Sequence, residues 1–366
     1  MAVKGSGSSL SFSEIEAEFG QNSDRDLGEY RVSQTVGALV NQPLDEGIPQ
    51  GTSPIKFSDF YSKRLNVIID YHSGSTENRP TVAKTRYNAA AGTGTHTVIG
   101  GFATRPTNSG GTKTRIHINK TIGSATGNIN NCAVRTGTGW NSGTVLTIEI
   151  GSSGAIYGAG GNGGHGGNDS EDGSGNGFKN GANGTAGSSG LGVQFSGTTV
   201  INNGVISAGY GGGGGGGFRK VEREEAFGGP VYSASGGGGG GGQGLPAGEG
   251  GGGHQTGADG TTTAGGNGGN GQENNLAHGG GGGGGGSNGT GGIGGNNNNG
   301  TNGTASTGGD GASGTNTGNI EGENNVTGNG GAGGSNGAAI RRTNGITVNI
   351  TNNGTITGSQ TATGVA

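Results

Sequence analysis

Seven consecutive glycines, Gly211–Gly217, stand between Tyr210 and Phe218, and further runs follow at Gly236–Gly242, Gly250–Gly253 and Gly279–Gly286. Such a run has no side chain to bury, and glycine loses more conformational entropy on ordering than any other residue. A single run would read as a flexible linker. Its recurrence beside Asn, Thr and Ser points instead to a repeated structural element. Glycine supplies 99 of the 366 residues, while charged residues make up 12% and hydrophobic residues 26%, roughly half the usual fractions. Disorder would require high net charge and abundant Pro, Glu and Lys; the net charge is −4 and there are 7 prolines. Collagen is excluded as well, because glycine does not keep a strict period of three over long stretches.

Composition changes twice along the chain. Residues 1–65 are rich in acidic and aromatic residues, 66–157 alternate in the manner of strands, and 158–366 are dominated by Gly, Asn, Thr and Ser. The first region contains an internal echo, LSFSEIEAEFG (10–20) and IKFSDFYSKR (55–64), with DLGEYR (26–31) as a weaker copy. Ser13 and Ser58 are expected to cap short helices, Ser13 with Glu16 as a capping box, and Glu14 and Asp59 to favour the positive helix ends. Three such short helices bury little alone. They read as a docking module that uses Phe12, Ile15, Phe19, Tyr30, Phe57, Phe60 and Tyr61, the alternative being an ordinary N-terminal subdomain.

The middle region carries LNVIIDYHS (65–73), TKTRIHINKT (112–121) and TVLTIEIG (144–151), separated by turn residues. Short alternating strands at this spacing predict an antiparallel, sandwich-like β-domain. His117 is expected on a solvated strand face. The single cysteine, Cys132, excludes an intrachain disulfide framework and reads as a small buried or neutral residue.

A third pattern links distant segments. EIGSSGAIYGAGG (149–161), VINNGVISAGYGGG (200–213) and NITNNGTITGSQ (349–360) share one grammar, in which a polar pair and Gly precede a short apolar island. Asn-Gly implies a tight turn with positive φ. Ile156, Ile206 and Ile356 are expected to lie side by side in one small sheet. The glycine segments between such islands are then excursions anchored at both ends. An anchored glycine segment can adopt polyproline II geometry, three residues per turn without internal hydrogen bonds, provided neighbouring segments satisfy its backbone groups. GGNGGHGGN (160–168) and GGNGGN (265–270) offer two bare faces and one decorated face, as an outer helix needs; the pure runs suit the centre. The fold class expected is mainly β: a small N-terminal docking module with short helices, an antiparallel β-domain, and a bundle of polyglycine II helices anchored by short strands. The rival reading of 158–366 is a flexible tail.

A bundle of rods has loops at its ends, and rigid rods with variable tips make a recognition surface. The candidates are 168–190, with Phe178 and Lys179, and 218–235, with Phe218, Arg219, Lys220, Phe227 and Tyr232, residue types that anchor interfaces. Catalytic signals are weak. No GK[ST] follows a glycine run, and none of the GxGxxG matches sits between a strand and a helix. NDSEDG (168–173) fails as a calcium loop because its twelfth position is Lys179. No metal site, cofactor, enzymatic activity or nucleic-acid footprint is expected. The first twenty residues lack a secretory signal and no stretch is apolar enough for a membrane span, so synthesis in a cytoplasm is expected.

VINNGVISAGYGGGGGGG, with its further glycine runs and Asn-rich spacers, resembles the glycine-rich distal adhesins and fibre-tip proteins of tailed bacteriophages over residues 150–366. LSFSEIEAEFG and IKFSDFYSKR resemble a module of phage virion proteins over 8–64. The resemblance implies packed polyglycine II helices with receptor-binding loops, a place in the virion tail or fibre, other tail or fibre proteins as partners, and a host surface glycan or outer-membrane protein as receptor. It favours a trimeric homo-oligomer. A decoration protein without receptor binding and an ice-binding polyglycine bundle remain the alternatives.

Overall fold

The computed structural model describes residues 3–19, 27, 48–49, 53–63, 67–73, 77–78, 95–99, 113–137, 145–168, 180–222, 230–305, 307–316 and 325–365. It is mainly β. Near the N-terminus, α1 (Phe12–Phe19) and a 3-10 turn (Phe57–Phe60) realise the two echoed segments. Their Phe12 and Phe57 rings meet edge-to-face, 4.9 Å between centroids at 87°. Val3, Ile15, Ile48 and Phe60 form a small buried cluster beneath them. The helix starts two residues earlier than the Ser13 cap implies: the Ser11 backbone N–H and hydroxyl both donate to Glu14, each at 2.8 Å. In the second copy the Lys56 N–H donates to Asp59 at 2.7 Å. Phe12 and Phe57 thus fall in the first turn, where they can stack on each other.

The middle of the chain winds into stacked coils. The first contributes β1 (Val67–Ser73) and β2 (Glu77–Asn78), with β3 (Thr95–Ile99) paired antiparallel to β1 at the sheet edge. The second contributes β4 (Lys113–Ile118), β5 (Thr121–Gly123) and β6 (Cys132–Arg135). The third contributes β7 (Val145–Ile150), β8 (Ala155–Tyr157) and β9 (Ser189–Val193). The fourth opens with β10 (Thr198–Asn202) and β11 (Val205–Ser207). Before it closes, the chain makes a long excursion carrying β12 (Arg219–Glu222), β13 (Val231–Ala234), β14 (Glu273–Asn274), β15 (Ala277–His278), β16 (Thr315–Asn316) and β17 (Val326–Thr327). It returns as β18 (Ile340–Arg342), and the last coil is β19 (Val348–Asn352), β20 (Thr355–Thr357) and β21 (Ala362–Thr363).

Three sheets result, ordered β19-β10-β7-β4-β1-β3, β2-β5-β8-β11-β20 and β21-β18-β9-β6. Every pairing in them except β1 with β3 is parallel. The expected antiparallel domain is corrected accordingly: each strand meets its counterpart one coil later, running the same way, and the rest of the coil is the crossover that parallel pairing demands. Ile156, Ile206 and Ile356 do lie side by side in one sheet. The ladders continue past residue 157, so the glycine-rich segments are excursions from a coil rather than a stretch appended after it.

Like residues stack inside the coils. Ile116, Ile148, Val200 and Ile350 form one column and Val134, Leu191 and Ile340 another. The first three of each are fully buried, Ile350 partly so, because β19 is the edge strand of its sheet. Each such side chain contributes ~1.5–3 kcal/mol on burial. Cys132 is also buried. At one corner the column turns polar: Ile150 pairs with Asn202 and Asn202 with Asn352. The buried Asn202 donates to Asn352 Oδ1 (2.7 Å) and Thr355 O (3.1 Å) and accepts from the Gly204 N–H (3.2 Å). Gly204 and Gly354 do not adopt the positive φ expected of an Asn-Gly turn. The Asn side chain makes the bend, and glycine is required because a Cβ on Gly204 would stand 2.2 Å from Gly154 O.

Candidate functional site

The described residues of the two excursions, within 158–188 between β8 and β9 and within 208–339 between β11 and β18, lie against each other largely as extended segments. Along 212–217 the backbone N–H groups donate in turn to Thr185, Gly240, Gly309, Ala182, Gly237 and Ala312. The acceptor strand recurs every third residue, the periodicity of a three-fold helix. Carbonyls of the same run accept from Gly164 and Gly167, from Gly331 and Gly334, and from Gly280, Gly283 and Gly286. Each segment of this run therefore has six neighbours, three that it donates to and three that donate to it. Gly236–Gly242 and Gly279–Gly286 are surrounded in the same way. None of the glycines in these runs has positive φ. Space demands glycine there: a Cβ at Gly213, Gly240 or Gly283 would fall 2.0–2.1 Å from a neighbouring carbonyl oxygen.

The outer segments lack a neighbour on one side, and their orphan N–H groups are satisfied by side chains. Asn183 Oδ1 accepts from Ala332 N (2.8 Å), Asn302 from Gly291 N (2.9 Å) and Asn270 from Ile293 N (2.7 Å). Asp259 and Asp310 do the same for Gly250 and Gly333, and His165 Nδ1 for Gly252. The third residue of GGN is more than the outward decoration expected of it. Its amide oxygen in fact replaces the carbonyl of an absent neighbour, and the signal was the spacing of Asn at every third position.

The lattice has two ends. At the coil end, Leu245 O accepts from Ser124 N and Pro246 O from Gly160 N, and the segments turn at 261–264 and 287–288. At the opposite end are two small sheets, β13-β12-β17 and β14-β15-β16. There Val221, Ala234 and Ala277 are buried, with Tyr232 packed on them. Of the expected recognition residues, Phe218 is only 1% exposed and Arg219 8%. Phe218 sits against the backbone of the lattice, where a Cβ on Gly314 would meet its carbonyl. The Arg219 guanidinium reaches Thr327 Oγ1, and burial lowers its pKa from the usual value. Both anchor the end of the lattice and offer no side chain for contact. Lys220 and Tyr232 are half-buried and Val231 is exposed. Phe178, Lys179 and Phe227 lie outside the described residues.

A cleft of about 590 Å³ opens at this end, lined by His165, Gly166, Asn168, Asn180, Ala182, Ser235, Gly252, Gly253 and His254. It gathers residues from four segments that are as much as 89 positions apart in sequence, from His165 to His254. Among the docking candidates, Ile15 and Phe60 are buried in their own cluster, Phe12 is partly buried, and Phe57 is 36% exposed. The Tyr61 hydroxyl donates to Ser8 O at 2.6 Å. The side chain of Phe19 and all of Tyr30 lie outside what the structure describes. His117, expected on a solvated face, is 4% exposed; it borders a polar depression with Asn119, Glu149 and Asn203. Among the described residues no group of three or more His, Cys, Asp or Glu could hold a metal ion. No described helix is long and apolar enough to cross a membrane.

No protein-family model matches the chain, and no curated protein matches it in sequence. Among solved structures, the gp37-gp38 adhesin tip complex of the bacteriophage S16 long tail fiber is similar over 98% of this chain and 99% of that one. The identity is 19% and the TM-score 0.32.

Proposed function

We propose that the chain is a non-enzymatic fibre-tip adhesin of a tailed bacteriophage, in which a bundle of polyglycine II helices presents a host-recognition surface at the end remote from the stacked coils. The observation that carries this reading is the arrangement of the three side-chain-free runs, each hydrogen-bonded to six neighbours at a period of three. Such a bundle gains little from hydrophobic burial, so its use lies in holding its ends rigidly apart. Loops on a rigid scaffold are where recognition concentrates. The end in question carries the β12–β13 hairpin, the β14–β15 hairpin and the His165–His254 cleft. Residues 1–65 are then the side facing other tail or fibre proteins, with Phe57 as the exposed aromatic residue, and the excursions within 158–188 and 208–339 form the receptor-facing part.

Adsorption tests the reading. Purified chain should bind cells of the host and block adsorption of the phage that encodes it, and removal of residues 223–229, between β12 and β13 in sequence, should weaken both. A chain that decorates the virion only, or that binds ice, would leave adsorption untouched.

A further inference from the structure

Resting on the adhesin reading for its biological setting, we infer that the cleft at the far end of the glycine lattice is a binding site for a neutral glycan. Six side chains carry the argument: His165, Asn168, Asn180, Ala182, Ser235 and His254. Among the described residues none of the lining groups is Asp, Glu, Lys or Arg. A cleft that recognised a charged ligand would need an opposing charge or pay for desolvating the ligand unpaired.

The lattice also fixes which hydrogen-bonding groups remain available. His165 Nδ1 accepts the Gly252 N–H at 3.0 Å. An accepting Nδ1 is unprotonated, so the ring proton sits on Nε2 and that atom is a donor. Asn180 Oδ1 is engaged by the Asn329 N–H at 2.8 Å, which leaves its amide NH₂ to donate. The Ser235 backbone N–H is held by Gln272 Oε1 at 3.0 Å, and its hydroxyl can both donate and accept. These groups suit ligand oxygens that are uncharged and closely spaced, as in the hydroxyls and ring oxygen of a hexose. The remaining wall is the Ala182 methyl and the Cα surface of Gly166, Gly252 and Gly253, an apolar surface without side-chain relief against which the C–H face of a pyranose can lie. The volume of about 590 Å³ falls within the ~300–1,000 Å³ of small-molecule sites.

The test applies full-length protein to an array of bacterial-type oligosaccharides, neutral (hexose and N-acetylhexosamine) and acidic (uronic and phosphorylated). Neutral members should bind. Ser235→Tyr, which fills the cleft from a small lining side chain, and His254→Ala should each reduce binding about tenfold or more, the scale of one or two lost hydrogen bonds. His165→Asn preserves an acceptor for Gly252 and should keep the thermal unfolding midpoint while weakening the glycan. Binding to acidic members only, to no member, or equally by Ser235→Tyr protein overturns the inference. The two readings fail separately. Adsorption to cells without glycan binding removes the glycan and leaves an adhesin for a protein receptor; neutral-glycan binding without adsorption does the reverse.

Discussion

Gly240 donates its backbone N–H to Gly283 O at 2.9 Å, Gly283 donates to Gly214 at 2.7 Å, and Gly213 donates back to Gly240 at 2.8 Å. The three runs without side chains are therefore joined in a closed cycle at the centre of the lattice. Their cohesion is entirely backbone hydrogen bonding, each bond worth ~0.5–1.5 kcal/mol net, against a backbone ordering cost of ~1–2 kcal/mol per residue. Close approach without a Cβ is the condition on which that balance rests.

Gly240→Ala should disrupt the lattice. Its Cβ would stand 2.0 Å from Gly266 O, a backbone atom held on its own far side, so nothing can yield cheaply. Gly252→Ala is the matched control: its nearest neighbour is the His165 ring at 3.0 Å, a side chain at the rim that need give only slightly. Limited proteolysis followed by mass spectrometry should show 158–339 resistant in the parent and in Gly252→Ala, and degraded in Gly240→Ala. Equal resistance of all three would remove close packing as the reason for glycine.

At the periphery the expected hierarchy is chemical. Asn183→Ala deprives the Ala332 N–H of its acceptor and should cost about 0.5–1.5 kcal/mol, water replacing part of the bond at this exposed edge. Asn183→Asp should be close to neutral, because Asp310 already performs the same task for Gly333 at 2.7 Å. Thermal unfolding of the two variants checks the order, and a destabilised Asp variant with a normal Ala variant would reverse it.

In the coils, Ile148→Ala removes a fully buried side chain stacked between Ile116 and Val200. A loss of about 2–5 kcal/mol is expected. Ile350→Ala, at the end of the same column and only partly buried, should cost distinctly less. Chemical denaturation with one probe for both variants makes the comparison, and equal losses would mean that the column does not act as one stack.

What the sequence disclosed follows from what these residues can and cannot encode. The company of Ile156, Ile206 and Ile356 was legible because each island repeats the same polar pair, Gly and Ile. Their parallel direction was not, since alternation of inward and outward residues looks the same in either sense; only the distance between like residues, filled by whole coils, separates the two. The lattice interior was legible in the absence of side chains. Its rim was legible in part: the period of GGN marked Asn270 as the decorated face of an outer segment, while Asn183 fell in an expected end loop, and that either amide oxygen stands in for a carbonyl appears only once the neighbouring N–H is seen to lack one. Phe218 and Arg219 read as recognition residues because they open a varied loop and belong to types that anchor interfaces, yet their place at the end of a glycine run puts them where the lattice must be sealed. The cleft was illegible because its histidines come from two segments that touch only after folding.

The N-terminal module carries a prediction about acid. The Lys4 ammonium, together with the Ser11 N–H and hydroxyl, holds the Glu14 carboxyl down to about 2 from an ordinary 4.5. A carboxyl whose folded pKa is depressed stabilises the fold fully above its unfolded value and loses that contribution as pH falls through the folded one. The contribution from Glu14 should thus be intact at neutral pH, begin to fade below about 4.5 and be gone near 2. Because Glu14 also closes the first turn of α1, the loss should appear as fraying of that helix. Amide exchange at residues 11–15, followed from pH 6 to pH 2, should accelerate beyond the intrinsic pH dependence across that window. Glu14→Gln should already exchange faster at pH 6 and show no further excess on acidification. A parent protein whose protection at these amides is flat through the window would refute the assignment.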